Sequence, residues 1–231
     1  MATDAGGGAI EALRARGRVP VFPLPDVVLF PHAVLPLHIF EPRYRRMTED
    51  ALRTDRLIAM ALLRPGWEQG YLGNPPVHPI ACAGTIEDEQ PLPDGRFNIR
   101  LRGLARIAIL GFEQDTPYRV AAVRVLEDQG GGPGPEGDDD RRRLLAACAS
   151  LLQETSGQPG NPVVLDGSVP LSVVVNTLCQ SLAMEAEEKQ RLLALDDVRE
   201  RCRALGEILD ARWRRLALLR AGDPPPAGSI H

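Results

Sequence analysis

Between Val19 and Met47 the sequence reads VPVFPLPDVVLFPHAVLPLHIFEPRYRRM, in which proline breaks the apolar runs every few residues. Proline fixes φ and has no backbone N–H, so within sheets it is confined to edges, strand ends and bulges. Pro20, Pro23, Pro25, Pro31 and Pro36 therefore exclude one long strand or helix here and predict a series of short, kinked strands. The stretch that follows, Arg43 to Thr54, predicts a helix opened by Pro42, since proline is tolerated in a first helical turn. Alternation is clearest from Phe97 to Leu101, where Phe97, Ile99 and Leu101 share one face and Asn98, Arg100 and Arg102 the other. Asp94-Gly95 supplies the turn before it. Ile107 and Ile109 continue an inward face beyond Gly103, and Ala121, Val123 and Val125 alternate in the same way. These are the half-buried strands of a small barrel.

The chain beyond is of a different kind. QGGGPGPEGDDD, residues 129–140, holds too many glycines, prolines and like charges to pack, and predicts a flexible linker. Helical patterns follow over Arg141 to Glu154, over Val169 to Leu182 with Ser168 as N-cap, over Glu185 to Leu193, and from Asp197 onward. In the last of these Val198, Cys202, Leu205, Leu209, Leu216 and Leu219 keep a three-four rhythm and form one apolar stripe. Packing against the other helices and the barrel is the plainer use of such a stripe; a coiled-coil dimer seam is the other, which Arg212 would interrupt. The expected organisation is a mobile tail over 1–18 with a short helix near Ala9 to Arg16, a β-barrel subdomain over 19–128, the linker over 129–140, a helical subdomain over 141–220 and a disordered tail over 221–231.

The proline-punctuated opening from Val19 to Met47, ending in the variant LHIFEPRYRRM, the hairpin DGRFNIRLRGLARIAIL from Asp94 to Leu110 and the helical EEKQRLLALDDVRERCRALGEILDARWRRL from Glu187 to Leu216 resemble, in this order, the N-terminal substrate-binding domain of the Lon family of ATP-dependent proteases. The first variant looks most like the free-standing, single-module members. The resemblance covers roughly Val19 to Arg220. It implies an α+β fold in which an N-terminal PUA-like β pseudobarrel with one or two helices is followed by a C-terminal helical bundle. It also implies recognition of unfolded or tagged polypeptide segments in protein quality control or substrate recruitment, with a separate ATP-dependent protease or unfoldase as partner.

The catalytic half of a Lon protease does not carry over. A phosphate-binding loop needs a lysine after its glycines, and the only lysine in these 231 residues is Lys189, between Glu188 and Gln190 in a predicted helix. A serine-lysine dyad would have to use the same residue, whose neighbours Glu187, Glu188 and Arg191 describe a solvated face rather than the desolvated setting that activates an amine. Gly-x-Ser-x-Gly and His-Glu-x-x-His are missing as well. No enzymatic role, no catalytic residue and no cofactor is expected.

Composition agrees with that expectation. Cys82, Cys148, Cys179 and Cys202 stand alone, with no Cys-x-x-Cys and no Cys-His pair at zinc spacing, and read as buried thiols. His32 and His38, six residues apart, are a weak metal pair, and no metal site is expected. The longest apolar run, Leu57 to Leu63, is far short of the roughly 20 residues of a membrane helix. The first residues carry Asp4 and Glu11 and lack the apolar core of a signal peptide, so a cytoplasmic protein with no membrane partner is expected.

Two surfaces are candidates for binding. In a chain only 4% aromatic, the loop RPGWEQGYLGNPP gathers Trp67, Tyr71 and Leu72 among glycines and prolines, the kind of large, low-entropy contact area that binding hot spots use. The alternative role for these side chains is to cap the barrel. Phe40 and Tyr44 read instead as anchors of the first helix. The second surface is nucleic-acid binding, because PUA-like folds also serve RNA-modifying proteins and Arg43, Arg45, Arg46, Arg100, Arg102 and Arg106 could form a basic face. The charge balance argues against it: 27 lysines and arginines face 31 acidic residues, and Glu49, Asp50 and Asp55 interleave with the helix arginines, unlike the clustered stripe of a phosphate binder.

Overall fold

The computed structural model describes residues 5–70, 73–114, 117–130, 135–156 and 169–222. Residues 1–4, the Ser168 cap and the end of the C-terminal tail lie outside the described residues. Two compact units divide the chain, residues 1–129 with 176–196 and residues 130–175 with 197–231.

The first unit is built on a six-stranded sheet of β1 (Arg18–Leu24), β2 (Val34–Ile39), β3 (Leu57–Leu62), β4 (Ile80–Pro91), β5 (Phe97–Gln114) and β6 (Arg119–Val125). The strand order is β2-β5-β4-β3-β1-β6, and β5 also pairs with β6, so β1, β3, β4, β5 and β6 close a ring to which β2 is added. All the pairings are antiparallel except β1 with β3. β5 can serve both ends because it is long: its first half pairs β2 over Phe97 to Arg102, and its second half pairs β6 from Ile107 onward.

The prolines fit because β1 changes partners along its length. Residues 18–21 pair with β6 and residues 21–24 with β3, so only Val21 is paired on both sides. Pro20, opposite Val120, and Pro23, opposite Ala61, each have a strand on one side only, and the missing N–H is left where no partner needs it. Pro36 lies in β2, the terminal strand of the order.

Inside the ring, alternation and small side chains set the core. Val19, Val21, Leu57, Ala59, Ala61, Leu63, Ala81, Ala83, Ile107, Ala121 and Val123 are buried in one cluster, the alanines leaving room for the larger neighbours. Part of that room is taken by Leu13, which is fully buried in the same cluster with Ala9 and Ile10 packed against it. The short helix expected near Ala9 to Arg16 is thus present as α1 (Ala5–Arg16), longer by four residues and docked on the barrel rather than part of a mobile tail. Ala9, Ile10 and Leu13 occupy i, i+1 and i+4 of a single helical edge, which the glycines before it mask in the sequence. Burying a leucine side chain contributes about 1.5–3 kcal/mol.

The expected helix after Pro42 is α2 (Pro42–Leu52), with Tyr44, Met47, Thr48 and Ala51 buried. Tyr44 anchors it to the sheet, its ring 4.4 Å from that of Phe22. Phe40 does not act as an anchor: it is exposed and stacks on His38 instead.

The helices that follow are α3 (Pro135–Ser156), α4 (Leu171–Ser181), α5 (Ala186–Ala194) and α6 (Val198–Gly222). α3 starts within the expected linker, so residues 135–140 are helical; Pro135 at the start is compatible with a first turn, and Asp140 is held by Arg199 at 3.1 Å. Within the second unit α3 and α6 pack on one another, and Val198, Cys202, Leu205 and Leu209 of the predicted stripe are buried. Within the first unit α5 buries Leu192 and Leu193, and Gln190 Nε2 donates to the Ile80 carbonyl at 2.9 Å.

Candidate functional site

The segment from β3 to β4 is tied down at its two ends. The amide of Arg64 donates to the Pro76 carbonyl and that of His78 to the Leu62 carbonyl, each at 2.9 Å, beside a bridge between Leu63 and Val77. Between them Trp67 opens a short 3-10 turn, Trp67–Gly70, and lies half-buried against the barrel core. Tyr71 and Leu72 lie outside the described residues.

Beside this segment is a groove of about 430 Å3, lined by Pro76, Val77 and Pro79 of the segment and by Ile109, Leu110 and Phe112 of β5. Its shape depends on a bulge. Ile109 stands opposite Val123 and Gly111 opposite Ala122, so Leu110 has no partner on β6. An extra residue of this kind bends the strand and re-aims a side chain. Here it leaves Leu110 65% exposed, next to Ile109 and Phe112, which are packed against the core. Arg119 braces the same wall: its buried side chain donates from Nη1 to the Pro75 carbonyl at 2.8 Å and lies 3.5 Å above the centre of the Phe112 ring. Sequence reading missed Leu110, Phe112 and Arg119. The signal was Gly111, since an isolated glycine inside a strand marks a bulge or a close approach.

The six arginines considered for RNA are largely engaged in the fold. Arg43 pairs with Glu41 and Arg46 with Asp50, each at 3.0 Å, and Arg102 pairs with Glu87. Arg45 lies against Gly95. Arg106 is not a surface residue at all: it is 1% exposed and clasped by Asp128 and Asp196. What is left does not make a continuous free basic stripe.

A family model of the ATP-dependent protease La (LON) substrate-binding domain matches residues 18–211. The chain belongs to this family. Curated relatives include Lon protease 2 of Bdellovibrio bacteriovorus, 26% identical over 201 residues, and the Lon protease of Parabacteroides distasonis, 26% identical over 208. The matches take in 84% and 87% of this chain but 24% of each relative, so the chain spans about a quarter of their length. Among solved structures, a Lon N-terminal domain protein from Xanthomonas campestris is similar at 24% identity and a TM-score of 0.56, over 90% of this chain and 99% of the other. The N-terminal domain of the Mycobacterium avium complex Lon protease is similar at 16% identity and a TM-score of 0.61, over 84% and 98%. At these identities the two structures share the fold.

In this Lon substrate-binding domain the reactive side-chain types are used structurally. Lys189 is less solvated than its sequence neighbours suggest: it is half-buried, its Nζ donates to the Gln180 carbonyl at 2.7 Å, and burial lowers its pKa. The four cysteines are free and buried. Burial pushes the Cys148 thiol up to about 11, that of Cys202 up to about 12, and that of Cys82 above the ordinary range. Since the thiolate is the reactive form, all four should resist a thiol-specific chromogenic reagent in native buffer and react within minutes in denaturant; fast native labelling of one thiol would contradict its burial. No group of three or more His, Cys, Asp or Glu side chains among the described residues could hold a metal ion. No helix among them is long and apolar enough to cross a membrane.

Proposed function

We propose that this chain is a polypeptide-binding module that captures unfolded or tagged segments for protein quality control. All chemistry belongs to an ATP-dependent protease or unfoldase with which it works. The observation that carries this reading is membership of the substrate-binding family over residues 18–211. The groove beside the Trp67 loop supports it, because apolar side chains turned to water on one wall of a cleft are what an unfolded segment can cover. Trp67, Tyr71 and Leu72 are proposed as contact residues.

Calorimetric titration with a permanently unfolded polypeptide tests the reading. Binding should carry a negative heat-capacity change, the mark of apolar burial; no heat at any temperature, with no binding by a second method, would refute it. Within the loop, Tyr71→Ala and Leu72→Ala should weaken binding and leave the melting temperature unchanged. Trp67→Ala should weaken binding and also cost about 2 kcal/mol in urea denaturation, roughly half the loss of a fully buried tryptophan, because the ring is half-buried against the core. Unchanged affinity in all three would remove the loop from the site.

A further inference from the structure

We infer that the groove over the Leu110 bulge is the docking site for an extended apolar polypeptide segment that carries a carboxylate. The inference rests on the polypeptide-binding reading above and names the place and the preferred ligand.

Three observations carry it. The first is the bulge, which sets Leu110 outward in the stretch of β5 that lies beyond its pairing with β4 and pairs with β6 alone. An exposed leucine, a half-buried phenylalanine and two prolines make one apolar lining, and the volume falls within the roughly 300–1,000 Å3 typical of ligand clefts. The second is the space over Gly111, where a Cβ would meet no atom within 4 Å, so an approaching chain reaches the β5 backbone unobstructed. The third is charge. In a chain of net charge −4 the described lining contains Arg64 and Arg119 and no carboxylate. Arg64 is exposed. Two acids stand at its edge: Glu187, whose carboxylate is bonded to Nε2 of the lining residue His78 at 3.1 Å, and Glu113, paired with Arg18 at 3.8 Å, which leaves Arg64 as the exposed arginine of the lining itself. A groove that is apolar along its walls and cationic at its rim complements a segment of apolar side chains with an acidic residue or a free C-terminus beside them.

Prolines on the wall contribute to selectivity in a second way. Pro76 and Pro79 offer no N–H, and their carbonyls accept from Arg64 and Ile109. That wall has little to give a ligand backbone, so side-chain insertion decides binding there.

The test titrates three labelled probes into the full chain: an unfolded polypeptide, an apolar nonapeptide with two flanking glutamates, and the same peptide with two flanking lysines. The glutamate peptide should bind about threefold or more tighter than the lysine peptide at low salt, the range of an exposed ion pair, and Arg64→Glu should abolish or reverse that order. Leu110→Ser should weaken both peptides about tenfold. Gly111→Trp, which fills the groove from open space, should do so more strongly, with an unchanged melting temperature for both variants. If the unfolded polypeptide binds and neither Leu110→Ser nor Gly111→Trp affects it, the groove is not the site, while the polypeptide-binding reading stands. If the groove variants weaken both peptides equally and Arg64→Glu leaves their order unchanged, the carboxylate preference is overturned. If no polypeptide binds at all, both readings fall.

Discussion

Gly103→Ala is expected to destabilise the first unit by about 3 kcal/mol, the upper range for added bulk in a packed core, and to lower the melting temperature by roughly 6–12 °C. A Cβ at this position would stand 2.1 Å from the Phe30 carbonyl oxygen and 2.9 Å from its carbon. Both are backbone atoms and cannot rotate aside. Nor can β5 retreat, because Gly103 donates to the Ala33 carbonyl and accepts from the His32 amide, both at 2.8 Å. The substitution therefore breaks two hydrogen bonds or keeps the clash. Gly111→Ala in the same strand is the control: a Cβ there meets nothing within 4 Å, and the melting temperature should stay within the spread of neutral surface changes. Thermal unfolding of the two variants side by side checks the argument, and equal melting temperatures would show that residues 30–31 do not pack on β5 as described.

The second large effect is expected at Arg106. Its guanidinium is removed from water and fully used: Nε donates to Asp128 at 2.7 Å, Nη2 to Asp196 at 2.9 Å and to the Glu127 carbonyl at 3.4 Å, and Nη1 to the Leu193 carbonyl at 3.1 Å. One side chain thus ties β5 both to the chain after β6 and to the end of α5. Arg106→Ala removes the buried donor of two carbonyls and breaks the pair with Asp128, and should cost about 3 kcal/mol, the lower end for breaking a buried pair. Asp196→Ala should cost less than about 1 kcal/mol, since that carboxylate is 58% exposed and loses an interaction that water already competes for. Urea denaturation of the two variants separates the effects. A loss at Asp196 as large as that at Arg106 would mean that the charge pair, and not the carbonyl clasp, dominates.

Arg106 also shows where sequence reading stops. In RGLARIAIL it follows the same rhythm as Arg100 and Arg102 and reads as part of a basic face, yet the segment after β6 and the end of α5 cover β5 at this point and bury the arginine. Nothing local distinguishes a solvated arginine from one whose partners lie about 20 and 90 residues away. Local patterns did better where the physics is local. Ile99 and Leu101 are buried and Asn98 and Arg100 exposed, as alternation requires, and the prolines between Val19 and Met47 go with two short strands, β1 and β2. The helix near Ala9 to Arg16 was legible, but its start at Ala5 and its docking through Leu13 were not, because glycine lowers intrinsic helicity and tertiary packing of one apolar edge overrides that preference; at residues 135–140 glycine and proline hid the start of α3 in the same way. The Leu110 bulge lay hidden because an apolar residue on the outer face, next to Ile109, looks like a continuation of the core. Of the candidate site, the loop was visible as an aromatic cluster; the β5 lining was not.

Fluorescence anisotropy of a labelled unfolded polypeptide, titrated with the chain at low and at high salt beside a short labelled RNA, tests the central claim most directly. Apolar docking predicts saturable polypeptide binding that survives high salt and no comparable RNA binding. RNA affinity that falls steeply with salt, with the polypeptide left free, would contradict it.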